Sequence, residues 1–186
     1  MTRAEAVTLL KQYVKTDRVL RHSYAVEAAM RVYAKKYEQD ENYWGLLGLL
    51  HDIDFEKYPE QHPNKSPEIL REAGFDNDFI NSVLSHANCE VPRDSLERKC
   101  LHAVDEMASF IIAIALMRPT KLEGLKVKSV KKKMKDKAFA KAVNRVELKA
   151  SAEQLGVELA DHVNTIVSGL IEHEALLNKE GYSLLS

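Results

Sequence analysis

Trp44-Gly45-Leu46-Leu47-Gly48-Leu49-Leu50-His51-Asp52 decides how this chain is read. Seven uncharged residues run straight into an imidazole and a carboxylate. A helix this apolar must carry its C-terminal end into the core, where an unpaired carboxylate is prohibitively costly. Asp52 is therefore expected to be hydrogen-bonded, ion-paired or bound to a metal. Outward from this stretch the helical period repeats, as in Leu9, Leu10, Tyr13 and Val14 and again in Val26, Ala29, Met30 and Tyr33. Period-two alternation is scarce, so the expected fold class is all-α, a single-domain helical bundle over 1–186.

Helix punctuation agrees. Thr2-x-x-Glu5 and Asn144-x-x-Glu147 have the form of capping boxes, Ser66-Pro67 places proline at the first position of a helix, and Gly74, Gly156 and Gly181 stand where helices should stop. The expected helices are 3–15, 18–38, 42–51, 67–73, 77–87, 95–117, 129–142, 145–155 and 158–179. The loops 52–66 and 118–128 join elements and do not read as domain linkers. No internal repeat or low-complexity tract stands out beyond a lysine-rich segment from Lys121 to Lys137.

Composition narrows the class of protein. A chain of 186 residues can bury roughly 70% of its unfolded surface. With 45% apolar and 30% charged residues, 7 Gly and 5 Pro, disordered and collagen-like readings are excluded. The 27 basic and 28 acidic residues leave a net charge of −1, which gives no bulk signal for nucleic acid or an anionic membrane. The N-terminus has no apolar signal-peptide core, and the most apolar stretch, Met107 to Met117, is too short for a span of about 20 residues. Two cysteines, Cys89 and Cys100, lie outside any C-x-x-C pattern and suit free thiols in a reducing compartment. Cytoplasmic residence without a membrane anchor is the expectation, and a homo-oligomer stays open.

The chemistry lies in an ordered series: His22, His51-Asp52, His62, His86 and Asp105, with gaps of 29, 11, 24 and 19 residues. The His-Asp dipeptide alone is weak, since about 0.4 such pairs arise by chance in this composition. The gaps place each member on a separate helix or its adjoining loop, which is how a helical bundle converges side chains on one centre. Imidazole with carboxylate suits Fe, Mn, Zn, Ni or Co.

On this series the sequence resembles the HD-domain superfamily of metal-dependent phosphohydrolases, over about residues 15–120, with a helical extension over about 129–186. Leu49-Leu50-His51-Asp52-Ile53-Asp54 is similar to the segment of the HDIG-like subgroup, with Asp54 in place of its glycine. His62-Pro63 before Ser66-Pro67-Glu68-Ile69-Leu70, Ser85-His86, and Ala103-Val104-Asp105-Glu106-Met107 resemble the family's later ligand segments. The resemblance implies a fold of the HD-domain type and a binuclear site of two divalent ions. In that site His22, His51, Asp52 and Asp105 hold one ion, and Asp52 bridges to a second held by His62 and His86.

The activity so implied is hydrolysis of a phosphate ester of a nucleotide or other small phosphorylated metabolite through a metal-bridged hydroxide. Two alternatives remain: a di-iron oxygenase of the HD type, and a nucleotide-sensing module without turnover. Asp52, Asp54, Lys65 and Arg118 are the candidate catalytic residues, Lys65 and Arg118 as phosphate contacts and Asp54, with Glu106, as a proton carrier or support for the ligands.

Blander readings stand beside these. His102, three residues before Asp105, reads more readily as a core histidine on a backbone carbonyl than as a partner of the site. His162 and His173 suit a solvated or core face. The lysines of 121–137 suit a solvated helix face better than an anion-binding rim. Cys89 reads as a small hydrophobe, and Phe110, Ile111, Ile114 and Met117 read as core packing.

Overall fold

The structure, a computed structural model, describes residues 1–87 and 90–186, so Cys89 lies outside the described residues. The helices are α1 (Arg3–Tyr13), α2 (Asp17–Lys36), α3 (Glu41–Leu50), α4 (Ser66–Glu72), α5 (Asn77–Leu84), α6 (Leu96–Leu116), α7 (Val127–Lys135), α8 (Arg145–Leu155) and α9 (Leu159–Lys179), with one 3-10 turn at Pro59–Gln61. No strand occurs among the described residues. The fold is all-α, as the period of the apolar residues requires.

The long helix α2 lies at the centre, against α3, α6 and α9, while α1 packs on α3 and α8 packs on α6. The crossing of α2 and α3 is close because Gly48 has no side chain. A Cβ there would lie 2.7 Å from the Val26 carbonyl oxygen and 2.9 Å from Glu27 Cα. That approach carries the end of α3, and with it His51 and Asp52, against the middle of the bundle.

Two buried polar contacts stitch the layers together. His162 of α9 lies between the Tyr33 hydroxyl, 2.6 Å from its Nδ1, and the Ala103 carbonyl, which accepts from its Nε2 at 2.9 Å. Burial holds its pKa down to about 4, so it is a neutral core group. His173 meets the fully buried Glu27 at 3.1 Å, and Arg3 and Arg31 complete the pairing of that carboxylate. Burial alone would raise the Glu27 pKa, but His173 and Arg3 bring it down to about 2. Both histidines thus belong to the core, and neither faces solvent.

Helix ends follow the expected punctuation with two departures. The box at Thr2 and Glu5 is complete, whereas at α8 the Asn144 side chain accepts from the Val146 and Glu147 amides with no return from Glu147. Helix α4 begins at Ser66, so Pro67 is its second residue. The larger difference lies in the expected helix 129–142, which stops at Lys135. There Asp136 accepts from the amides of Ala138 and Phe139 and turns the chain. Ala140 adopts a left-handed φ of 43°, and Arg145 holds the carbonyls of Phe139, Ala140 and Val143. The polar side chains supply a turn that outweighs the helical propensity of the alanines.

Candidate metal centre

Four helices and one loop deliver six side chains to one point. His22 projects from α2, His51 and Asp52 from the end of α3, His86 from just beyond α5, and Asp105 from α6, with His62 on the loop after the 3-10 turn. His22 Nε2 lies 3.0 Å from His51 Nε2, 3.1 Å from Asp105 Oδ1 and 3.2 Å from Asp52 Oδ2. The other Asp52 oxygen, Oδ1, lies 3.2 Å from His86 Nε2 and 3.6 Å from His62 Nε2. Asp52 therefore faces two histidine groups at once, one through each oxygen.

Each imidazole is oriented from behind. His51 Nδ1 donates to the Gly48 carbonyl at 2.7 Å and His86 Nδ1 to the Val83 carbonyl at 2.5 Å. His62 Nδ1 donates to Asp54 Oδ1 at 2.7 Å, and His22 Nδ1 meets Ser109 Oγ at 2.6 Å. A carbonyl or carboxylate can only accept, so the neutral forms of His51, His62 and His86 must carry their hydrogen on Nδ1 and leave Nε2 as a lone pair turned inward.

The electrostatics ask for a cation. Burial alone would raise the Asp52 and Asp105 carboxyls, yet the surrounding imidazoles, His51 foremost, hold both well below the usual carboxylate range. Burial works to lower His22, but its contacts with Asp105 and Asp52 win and push it up to about 10. Protons thus stand in for positive charge. His86 Nε2, 3.2 Å from Asp52 Oδ1, is buried with no hydrogen-bond partner among the described residues, which leaves its lone pair available to a metal. His22, His51 and Asp105 offer ligand atoms all within 4.8 Å of one another, as do His51, Asp52 and His86. The residues present fit divalent cations of the imidazole-and-carboxylate type.

Residues 19–109 match the family model of the HD domain. This segment is an HD domain. Searches of curated proteins and of solved structures returned no significant match. The HD domain belongs to a family of metal-dependent phosphohydrolases, and its His and Asp cluster is compatible here with divalent metal. No helix of the described residues is long and apolar enough to cross a membrane.

Two chambers open on the HD cluster. The larger, of about 640 Å³, is walled mainly by apolar residues, among them Val19, Phe110, Ile112 and Leu116, and reaches His22, Asp52 and Asp105; Arg18 and Arg21 line it as well. The smaller, of about 320 Å³, reaches His62, His86, Asp52 and Asp105 and is walled by His102, Glu106, Glu147 and Ser151. Residues beyond 129 contribute to both, through Ala140, Ala142 and Val143 in the first and Glu147, Leu148 and Ser151 in the second.

Of the further residues singled out from the sequence, Asp54 is fully buried, and both its oxygens are engaged by His62, by the Lys65 amide at 3.1 Å and by the Ser66 amide at 2.9 Å. It positions the His62 loop. Lys65 and Arg118 are not brought to the cluster. The Lys65 ammonium pairs with Glu68, and the Arg118 guanidinium closes its own turn on the carbonyls of Lys121 and Glu123. Neither lines a chamber, because local partners three to five residues away capture both long side chains. Cys100 is a buried free thiol.

Sequence reasoning overlooked Ser109, Arg18 and Arg21. Ser109 lies four residues after Asp105, one helical turn along the same face, and that spacing was the available signal. Arg18 and Arg21 lie four and one residues before His22. Arg21 forms an exposed pair with Asp17, while its buried Nε has no hydrogen-bond partner among the described residues.

Proposed function

We propose that this HD domain hydrolyses a phosphate ester of a nucleotide or another small phosphorylated metabolite, with two divalent transition-metal ions held at the cluster. His22, His51, Asp52 and Asp105 would hold one ion, and His62 and His86 the second, with Asp52 shared. The observation that carries this reading is the pair of Asp52 oxygens, each turned to a different set of inward Nε2 atoms. When bound, such ions acidify water at neutral pH and neutralise phosphate charge.

The chain's own residues do the rest. Ser109, Gly48, Asp54 and Val83 hold the four imidazoles in fixed orientation, so the donor atoms need little reorganisation. The larger chamber has the volume of a small-molecule site, and its apolar walls suit the organic part of the substrate. Arg18 and Arg21, on the wall beside His22, suit an anionic oxygen there.

The test is phosphate release from a panel of nucleotides and sugar phosphates by the metal-loaded protein, with oxygen excluded. Metal-dependent, chelator-sensitive release supports the reading. Turnover of a carbon substrate only when oxygen is admitted would replace it with the oxygenase, and tight nucleotide binding without product would replace it with a sensor.

A further inference from the structure

The smaller chamber contains a pair that the metal cluster does not use. His102 of α6 and Glu147 of α8 both line it, 45 residues apart in sequence, with His102 Nε2 at 2.7 Å from Glu147 Oε1. Glu147 is the third residue of α8, where a capping box would send its carboxylate back to the Asn144 amide. That amide instead donates to Glu106 Oε2 at 3.3 Å, and Glu147 is turned to the imidazole. The cap forgoes half its box, and the carboxylate so released holds a histidine in the wall of the chamber that reaches His62, His86, Asp52 and Asp105.

A carboxylate on one imidazole nitrogen fixes the ring's orientation and leaves the other nitrogen for proton transfer. His102 Nδ1 has no hydrogen bond among the described residues. The remaining ionisable groups of that chamber, Asp52, Asp105, Glu106, His62 and His86, are proposed ligands of the metals or, in Glu106, the acceptor of the Asn144 amide.

We propose that the His102–Glu147 pair delivers the proton to the leaving group, a role that rests on the phosphohydrolase reading. Water adds to phosphorus as the ester P–O bond breaks. The leaving oxygen keeps the bonding electrons and takes the imidazolium proton, and the proton lost by the attacking water restores the balance.

The test compares two esters with the full-length, Mn²⁺-loaded protein: the best alkyl phosphate of the panel, whose alkoxide must be protonated to leave, and p-nitrophenyl phosphate, whose phenolate leaves unprotonated. His102→Gln is expected to lower kcat on the alkyl ester by at least about 100-fold. On the aryl ester the loss is expected to be under about tenfold, with metal content and calorimetric affinity for inorganic phosphate retained. Glu147→Gln, whose amide oxygen still accepts from the imidazole, is expected to show the same preference at smaller size, and it carries the test if His102→Gln does not fold. Equal losses on both esters, in an active wild type, overturn the proton-donor role alone and reduce the pair to a strut between α6 and α8. A wild type inactive on every ester overturns the phosphohydrolase reading and the donor role with it.

Discussion

Asp54 stands where the subgroup that this sequence resembles has glycine, and the structure gives the carboxylate a task glycine could not perform. Its two oxygens hold His62 and the backbone at Lys65 and Ser66. Asp54→Ala is expected to weaken the ion proposed at His62 and His86 by about 10- to 100-fold while leaving the other proposed ion in place, measured by metal titration of the variant. The protonation of the cluster gives a second expectation. His22 is raised from 6.5 to about 10 in the folded protein, so its stabilisation is complete below 6.5 and is lost as pH climbs towards 10. Asp52 and Asp105 are depressed, so theirs is present above the ordinary value of 3.8 and is lost as pH falls through the lowered ones. The melting temperature of metal-free protein should therefore fall from neutral pH to pH 10, and metal should remove that fall by occupying the same nitrogens. A flat profile for the metal-free protein over this range would contradict the cluster geometry. At this scale the six converging residues were legible as an ordered series, whereas the fates of Lys65 and Arg118 were not. Spacing along a chain cannot reveal that a flexible cation closes on a neighbour such as Glu68 or the Lys121 carbonyl.

Among the elements, the approach of α2 and α3 sets where His51 and Asp52 lie. Gly48→Ala would drive a methyl group into the backbone of Val26 and Glu27, at distances below 3.0 Å, where no side chain can yield. It is expected to cost about 1–3 kcal/mol, and to lower the melting temperature by several degrees. Gly48 also supplies the carbonyl that orients His51, so metal affinity should fall with stability. Helix existence was legible throughout the chain, because an apolar stripe must be buried wherever it occurs. Helix extent was less so. At 129–142 the alanines read as helix, while the turn made by Asp136 and held by Arg145 depends on hydrogen bonds that a period cannot encode. The capping motif at Asn144 was legible as a helix start, but not the diversion of Glu147 to His102, since the competing partner comes from another helix.

Taken as a whole, the molecule holds two separate networks of buried charged groups. One is the network of Glu27 with Arg3, Arg31 and His173, in which a buried carboxylate is matched by cations of the same chain. The other is the HD cluster, in which two carboxylates are matched only by protons on imidazoles such as His22, whose nitrogens a metal would take instead. The contrast separates a charge network that is complete in the protein from one that calls for an added cation. Which cavity each residue would line was beyond sequence reading, because chambers form between elements brought together from distant segments: Arg18, Phe110 and Val143 meet in one, His62, His102 and Ser151 in the other. The most direct measurement is the metal content of protein purified without chelator, saturated with Mn²⁺ or Fe²⁺ and desalted. About two ions per chain are expected, falling below one in Asp52→Ala, because that carboxylate would serve both proposed positions. Fewer than one ion per chain in the wild type would contradict the two-metal centre.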